Sequence, residues 1–370
     1  MKIRIAVLTA LLLPAPAWAA AAPEVATVVS ATQDVDAAVA AIEAARAAVP
    51  QPDRARGNDP AYIEEYRKQA TAALGVVADR IGDLFKVAPQ HEGIGELMFE
   101  RWMIRAQQLN MPDETIEEIA GVIKDHADST LAGDARFMRA NIAINHRSED
   151  GAYHYEFGVA DGYVRDAMGA GEKDPERAGW LLRSLGDRAP EGSERQLELY
   201  AQLTKEFGQS QSARGIAGTL YQLERVGKPF ELAFNDAISG EEVTMASLRG
   251  KVVVIDFWAT WCGPCVREMP HMKELYERFS EQGVEFVGVS LDSPPEEGGL
   301  DKLKAYVAKN EIKWPQYYQG GGWQSEFSSA WKVSSIPAVF VVDADGNLAS
   351  VNARGRLEEI VPALLAKRAE

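Results

Sequence analysis

Two cysteines occur in 370 residues, and they stand three positions apart in Trp261-Cys262-Gly263-Pro264-Cys265. The pair lies where an apolar run, Val252–Trp258, gives way to a helical pattern. Thiols separated by two residues in a helical first turn can close a disulfide with little rearrangement. Cys262 falls at the helix N-terminus, where unpaired N–H groups and the helix dipole favour a thiolate. The thiolate is the nucleophile of disulfide exchange, so this position prepares Cys262 to attack. Cys265, one turn further in, reads as the buried resolving thiol. Zinc would need two more ligands, and His271 is the sole histidine of the C-terminal part among five in the chain, so no metal site is expected. A purely structural disulfide around so short a loop would gain little chain entropy.

The elements that must position this turn follow from periodicity. After Gly227-Lys228-Pro229 the pattern alternates between strands and helices. It predicts strands at Phe230–Asn235, Val252–Trp258, Val284–Leu291, near Gln316–Gln319, at Ala338–Asp343 and at Leu348–Asn352. Helices are expected from Cys262 to about Gln282, and over Leu300–Asn310, Glu326–Lys332 and Leu357–Lys367. Val252–Trp258 is apolar except at Asp256, as in a strand covered on both faces. Residues 226–370 therefore read as one α/β domain. Upstream, 20–225 reads as an all-α domain of helical hairpins, possible in tetratricopeptide style but without a fixed repeat period. Helices are expected to Pro50, then from Asp59-Pro60 onward with a stripe at Tyr62, Tyr66, Ala70, Ala73, Val77, Ile81 and Leu84. Further ones cover Glu92–Asn110, Pro112–Asp128, Thr130–His146, Pro175–Arg188, Ser193–Phe207 and Gln211–Arg225. Ser148–Asp174, rich in glycine and acidic residues, reads as a loop.

Two acids accompany the cysteines. Asp256 has apolar neighbours on both sides, so burial should raise its pKa and suit it to exchange a proton with Cys265. Glu268, in the first turns of the following helix, is a second proton carrier or a modulator. The residues alone do not choose between them.

Phe257-Trp258-Ala259-Thr260-Trp261-Cys262-Gly263-Pro264-Cys265 resembles the thioredoxin active-site sequence. Asp256 matches that family's buried aspartate, Pro270 its helix-kinking proline, and Ser335-Ile336-Pro337 its cis-proline loop. Glu268 and the extra segment Leu300–Gln319 make the C-terminal domain similar to the exported TlpA/ResA-like branch. The resemblance implies a thioredoxin-like fold, with a central mixed sheet flanked by helices. It also implies a redox-active Cys262–Cys265 disulfide, and an apolar substrate patch of Trp261, Ile336 and Pro337. An exported thiol–disulfide oxidoreductase without a cofactor is the implied activity. Its partners would be cysteine-containing exported proteins, apocytochrome c among the options, with a membrane thiol donor for re-reduction. A peroxiredoxin-like enzyme shares the insertion. However, Ile255 and Ala259 stand where the peroxidatic P-x-x-x-[TS]-x-x-C pattern needs Pro and Thr or Ser. A third reading makes the helical region a partner-binding protein with an accessory redox domain.

Composition agrees with an exported protein that binds no nucleic acid. Basic residues number 39 against 55 acidic, for a net charge of −16, which opposes binding to phosphate backbones. Met1-Lys2-Ile3-Arg4, an apolar run and Ala17-Trp18-Ala19 read as a signal peptide over 1–19. A periplasmic location is therefore expected, where a dithiol works against an oxidising background.

Overall fold

The computed structural model describes residues 33–368, and these divide into two compact units, 33–188 and 189–368. The signal peptide expected over 1–19 lies outside the described residues. Sequence pattern changes at 226, whereas the division by packing comes after Arg188, so 189–225 goes with the C-terminal unit.

The first unit is all helical: α1 (Gln33–Ala47), α2 (Pro60–Val87), α3 (Ile94–Met103), α4 (Pro112–Asp125), α5 (Thr130–Asn145), α6 (Phe157–Gly169) and α7 (Pro175–Arg188). Asp59 starts α2 by accepting from the N–H groups of Ala61 and Tyr62, with Pro60 in the first turn, where a missing N–H costs nothing. Val77, Ile81 and Leu84 of the expected stripe are buried against Met98, Trp102, Ile119 and Met138. Neighbours in sequence pack on each other, α1 on α2, α4 on α5 and α6 on α7, giving helical hairpins. Helix α6 corrects the expected loop at Ser148–Asp174. Its buried stripe is Ala160, Val164 and Ala167, residues too small to stand out against the surrounding glycines and acids.

The second unit begins with α8 (Glu194–Glu206) and α9 (Ile216–Leu223). There follow β1 (Ala233–Asn235), β2 (Glu242–Thr244), β3 (Val252–Trp258), α10 (Gly263–Phe279), β4 (Val284–Ser290), α11 (Gly299–Lys309), β5 (Gln316–Tyr318), α12 (Glu326–Ala330), β6 (Ala338–Val342), β7 (Leu348–Ser350) and α13 (Leu357–Arg368). A five-stranded mixed sheet runs β5-β4-β3-β6-β7. β3 is parallel to β4 and antiparallel to β6, with Asp256 in register with Gly288 and Val339. All seven residues of β3 are buried, because helices cover both faces. Trp258 meets Tyr306 of α11, while Phe257, pointing the other way, meets Phe327 of α12. The expected strand at Phe230–Asn235 shortens to β1, which pairs with β2 in a separate hairpin. The preceding stretch hydrogen-bonds along β7 instead, through Gly227 N to Leu348 O and Phe230 N to Gly346 O. That pairing occupies an edge that would otherwise be open to other strands. Gln222 of α9 belongs here because its amide donates to Trp331 O at 2.7 Å.

Candidate active site

Strand β3 ends at Trp258 and the chain turns through Ala259, Thr260 and Trp261 into α10. Cys262 is the N-cap of that helix. Its Sγ accepts the Cys265 N–H at 3.2 Å, the role an oxygen plays in an ordinary cap. Cys262 and Cys265 form a disulfide with Cα atoms 5.3 Å apart. In the dithiol state the same N–H and the α10 N-terminus would favour a Cys262 thiolate. Pro264 fits the first turn, and Pro270 lies inside the helix, where it removes one backbone bond.

The Ile336–Pro337 peptide is cis, and Ile336 O lies 3.9 Å from Cys262 Sγ. Both residues are half-buried beside the disulfide. Trp261 is 53% exposed, although its ring N–H is held by Leu291 O at 3.2 Å. Trp323 stands near it with ring centroids 6.3 Å apart. Ile336 thus presents a backbone carbonyl to Cys262, and Trp261, next to Cys262 in the chain, is exposed beside Trp323.

Asp256 sits in mid-strand with 5% of its surface exposed. Burial pushes its carboxyl up to about 7, the nearby Glu268 carboxylate adds to the rise, and Arg354 opposes it. An acid with that pKa can give or take a proton near neutrality. Glu268, on α10, is instead held in an ion pair, accepting from Arg354 Nε at 2.8 Å. The two acids therefore differ in surroundings: Asp256 is buried in mid-strand, and Glu268 is partly exposed and tied to a cation.

Sequence reasoning missed two residues that hold this turn. Asp292, just past β4, is buried and accepts from Thr260 N at 3.2 Å, Thr260 Oγ1 at 2.5 Å and Ser290 Oγ at 2.8 Å. The turn before Cys262 is therefore tied to the end of the neighbouring strand. A polar Ser-x-Asp at the end of an apolar strand was the available signal. Arg354 was the other, and nothing in its local sequence marks it. Among the described residues no cluster of His, Cys, Asp and Glu could hold a metal ion. No helix among them is long and apolar enough to cross a membrane.

Comparison with known proteins covers the C-terminal part of the chain. A thiol-disulfide oxidoreductase ResA of Bacillus thuringiensis is 32% identical over 111 residues, 30% of this chain and 60% of that protein. Another, from Halalkalibacterium halodurans, is 29% identical over 139 residues, 38% of this chain and 74% of its own. The chain thus spans about 60% of the length of the first of these relatives. A solved thiol:disulfide interchange protein of the thioredoxin family from Chlorobium tepidum is 25% identical. It covers 37% of this chain and 94% of its own, at a TM-score of 0.32. Residues 226–351 match the AhpC/TSA family, and with the sheet order, the Cys262–Cys265 pair and the cis-proline described above, this segment is a thioredoxin-like domain similar to that family.

Proposed function

We propose that the protein is an exported thiol–disulfide oxidoreductase that reduces disulfides of other proteins. The observation that carries the reading is a Cys262–Cys265 disulfide at the N-terminus of α10, with the buried carboxyl of Asp256 in the strand leading into it. In the dithiol form the Cys262 thiolate attacks one sulfur of a substrate disulfide and expels the other as a thiolate. Cys265, its proton taken by Asp256, then attacks Cys262 Sγ and releases the second substrate thiolate. Two electrons pass to the substrate and the Cys262–Cys265 disulfide is left. Trp261, Ile336 and Pro337 receive the substrate backbone. Glu268 tunes the proton transfer.

The chain's resemblance to ResA proteins supports a reductant that a membrane thiol donor recharges. Substrates would be cysteine-containing exported proteins, with apocytochrome c among them. Residues 1–19 support export, and a periplasmic location goes with it. The test is trapping in the producing cell. Cys265→Ser should accumulate mixed disulfides through Cys262, whereas Cys262→Ser should trap nothing and lose disulfide reduction. Trapping through Cys265 alone would reverse the assignment. Turnover of hydroperoxide with a thiol donor, without turnover of protein disulfides, would make it a peroxidase instead.

A further inference from the structure

Glu191 lies on the turn between α7 and α8, and the backbone that follows it is held. Gly192 takes a left-handed φ of 71° and donates its N–H to Gln196 Oε1 at 2.8 Å, while Ser193 caps α8. From this rigid turn the Glu191 carboxylate reaches the end of β7. It accepts from Ser350 Oγ at 2.9 Å, Val351 N at 2.6 Å and Asn352 N at 3.1 Å, with Arg356 Nη1 at 3.5 Å. Successive N–H groups converging on one carboxylate form an anion-binding concavity, and charged acceptors make the stronger hydrogen bonds. The side chain is 18% exposed, so these bonds are only partly open to water.

The stretch that Glu191 grips also carries Arg354. On one side of Arg354, Ala353 N donates to Val339 O at 3.0 Å, and Val339 is the register partner of Asp256. On the other side stands Arg356, itself paired with Glu191. Arg354 then reaches Glu268. We propose that Glu191 is a positioning residue of the redox site: by fixing the 350–356 segment it holds Arg354 against Glu268 and so sets the charge balance around Asp256. The proposal rests on the redox reading of that site.

The groups that bear on Asp256 are few. β4 and β6 offer Gly288 and Val339, neither of which titrates, and Cys262 and Cys265 are joined as a disulfide. Glu268 comes from α10 and Arg354 from the segment after β7. His271 of α10 and Glu358 of α13 line the same small cleft as Glu268, Val339 and Arg354. Moving Arg354 away removes a cation that lowers the Asp256 pKa.

The test follows the Asp256 carboxyl by ¹³C NMR titration of the oxidised full-length protein labelled at aspartate, with Asp256→Asn identifying the resonance. Arg354→Gln should move the midpoint up by about half a unit or more. Glu191→Ala should move it by a similar amount, Glu191→Gln by less, and Glu191→Ala with Arg354→Gln no further than either alone. Glu191→Gln decides the matter if the alanine variant does not fold. Glu191 variants that lose thermal stability yet keep the wild-type midpoint would overturn the proposal, as would shifts that add in the double variant. The titration needs no turnover, so a wild-type protein that titrates as described but reduces no disulfide would sink the redox reading alone.

Discussion

Asp256→Asn should make the protein less stable in acid and more stable in mild alkali. The wild-type carboxyl is raised from 3.8 to about 7 in the folded state, so the folded form binds this proton more tightly than the unfolded chain. The stability that depends on the bound proton is complete below the unfolded value of 3.8 and is lost as pH rises to and through about 7. At about 1.4 kcal/mol per pKa unit, the loss across the window is about 4 kcal/mol. Asparagine does not titrate, but a buried amide left unpaired costs about 1–3 kcal/mol at every pH. The variant should therefore be about 1–3 kcal/mol less stable near pH 4 and about 1–3 kcal/mol more stable near pH 8. Urea unfolding of the oxidised proteins by tryptophan fluorescence, at steps between those limits, gives the difference directly. A difference that stays constant over the whole range would mean that Asp256 ionises in the fold as it does in water. The desolvation argument would then be wrong.

Two further outcomes bear on the scaffold. Gly288→Ala would drive a Cβ into Gln316 Oε1, the acceptor of the buried Trp258 ring N–H. It should cost about 2–3 kcal/mol by thermal melt, part of which Gln316→Ala in the same chain should restore; an unchanged melting temperature would refute the tight packing. A chain starting at Ala189 should unfold cooperatively. One starting at Val226 lacks Glu191 and Gln222 and should reach its urea midpoint earlier, and equal midpoints would show that 189–225 adds nothing to the redox unit.

Much of the redox domain is legible in its sequence because the signals are local. The run Val252–Trp258 announces a strand covered on both faces, and its end coincides with the cysteines, so strand, turn and helix cap are read from neighbouring residues. The burial of Asp256 is legible for the same reason, since its neighbours along the strand are all apolar. Arg354 and Glu191 are not legible. Arg354 meets Glu268 across 86 residues, and Glu191 meets Ser350 across 159. A surface arginine and a turn glutamate look alike whether or not such a partner exists. Helix α6 was hidden differently, because alanines bury a face without raising the apolar contrast that periodicity needs.

The polar link behind Trp258 bears on how this fold could be shortened or grafted. Trp258 Nε1 donates to Gln316 Oε1, Gln316 Nε2 donates to Trp314 O, and Gln316 N donates to Asp236 Oδ1. One residue of edge strand β5 thus joins the central strand, through its side chain, to the loop of the β1–β2 hairpin, through its backbone N–H. The segment 300–319 therefore does not behave as a detachable module. Deleting it to reach a minimal redox domain would strand the Trp258 indole N–H in the core, at about 1–3 kcal/mol for the unpaired group. It would also remove one of the four hydrogen bonds that the described residues give the Asp236 carboxylate. Trimming the hairpin would leave the Gln316 N–H unpaired from the other side. Asp236, Trp258 and Gln316 must therefore be kept together in any shortened form of the domain.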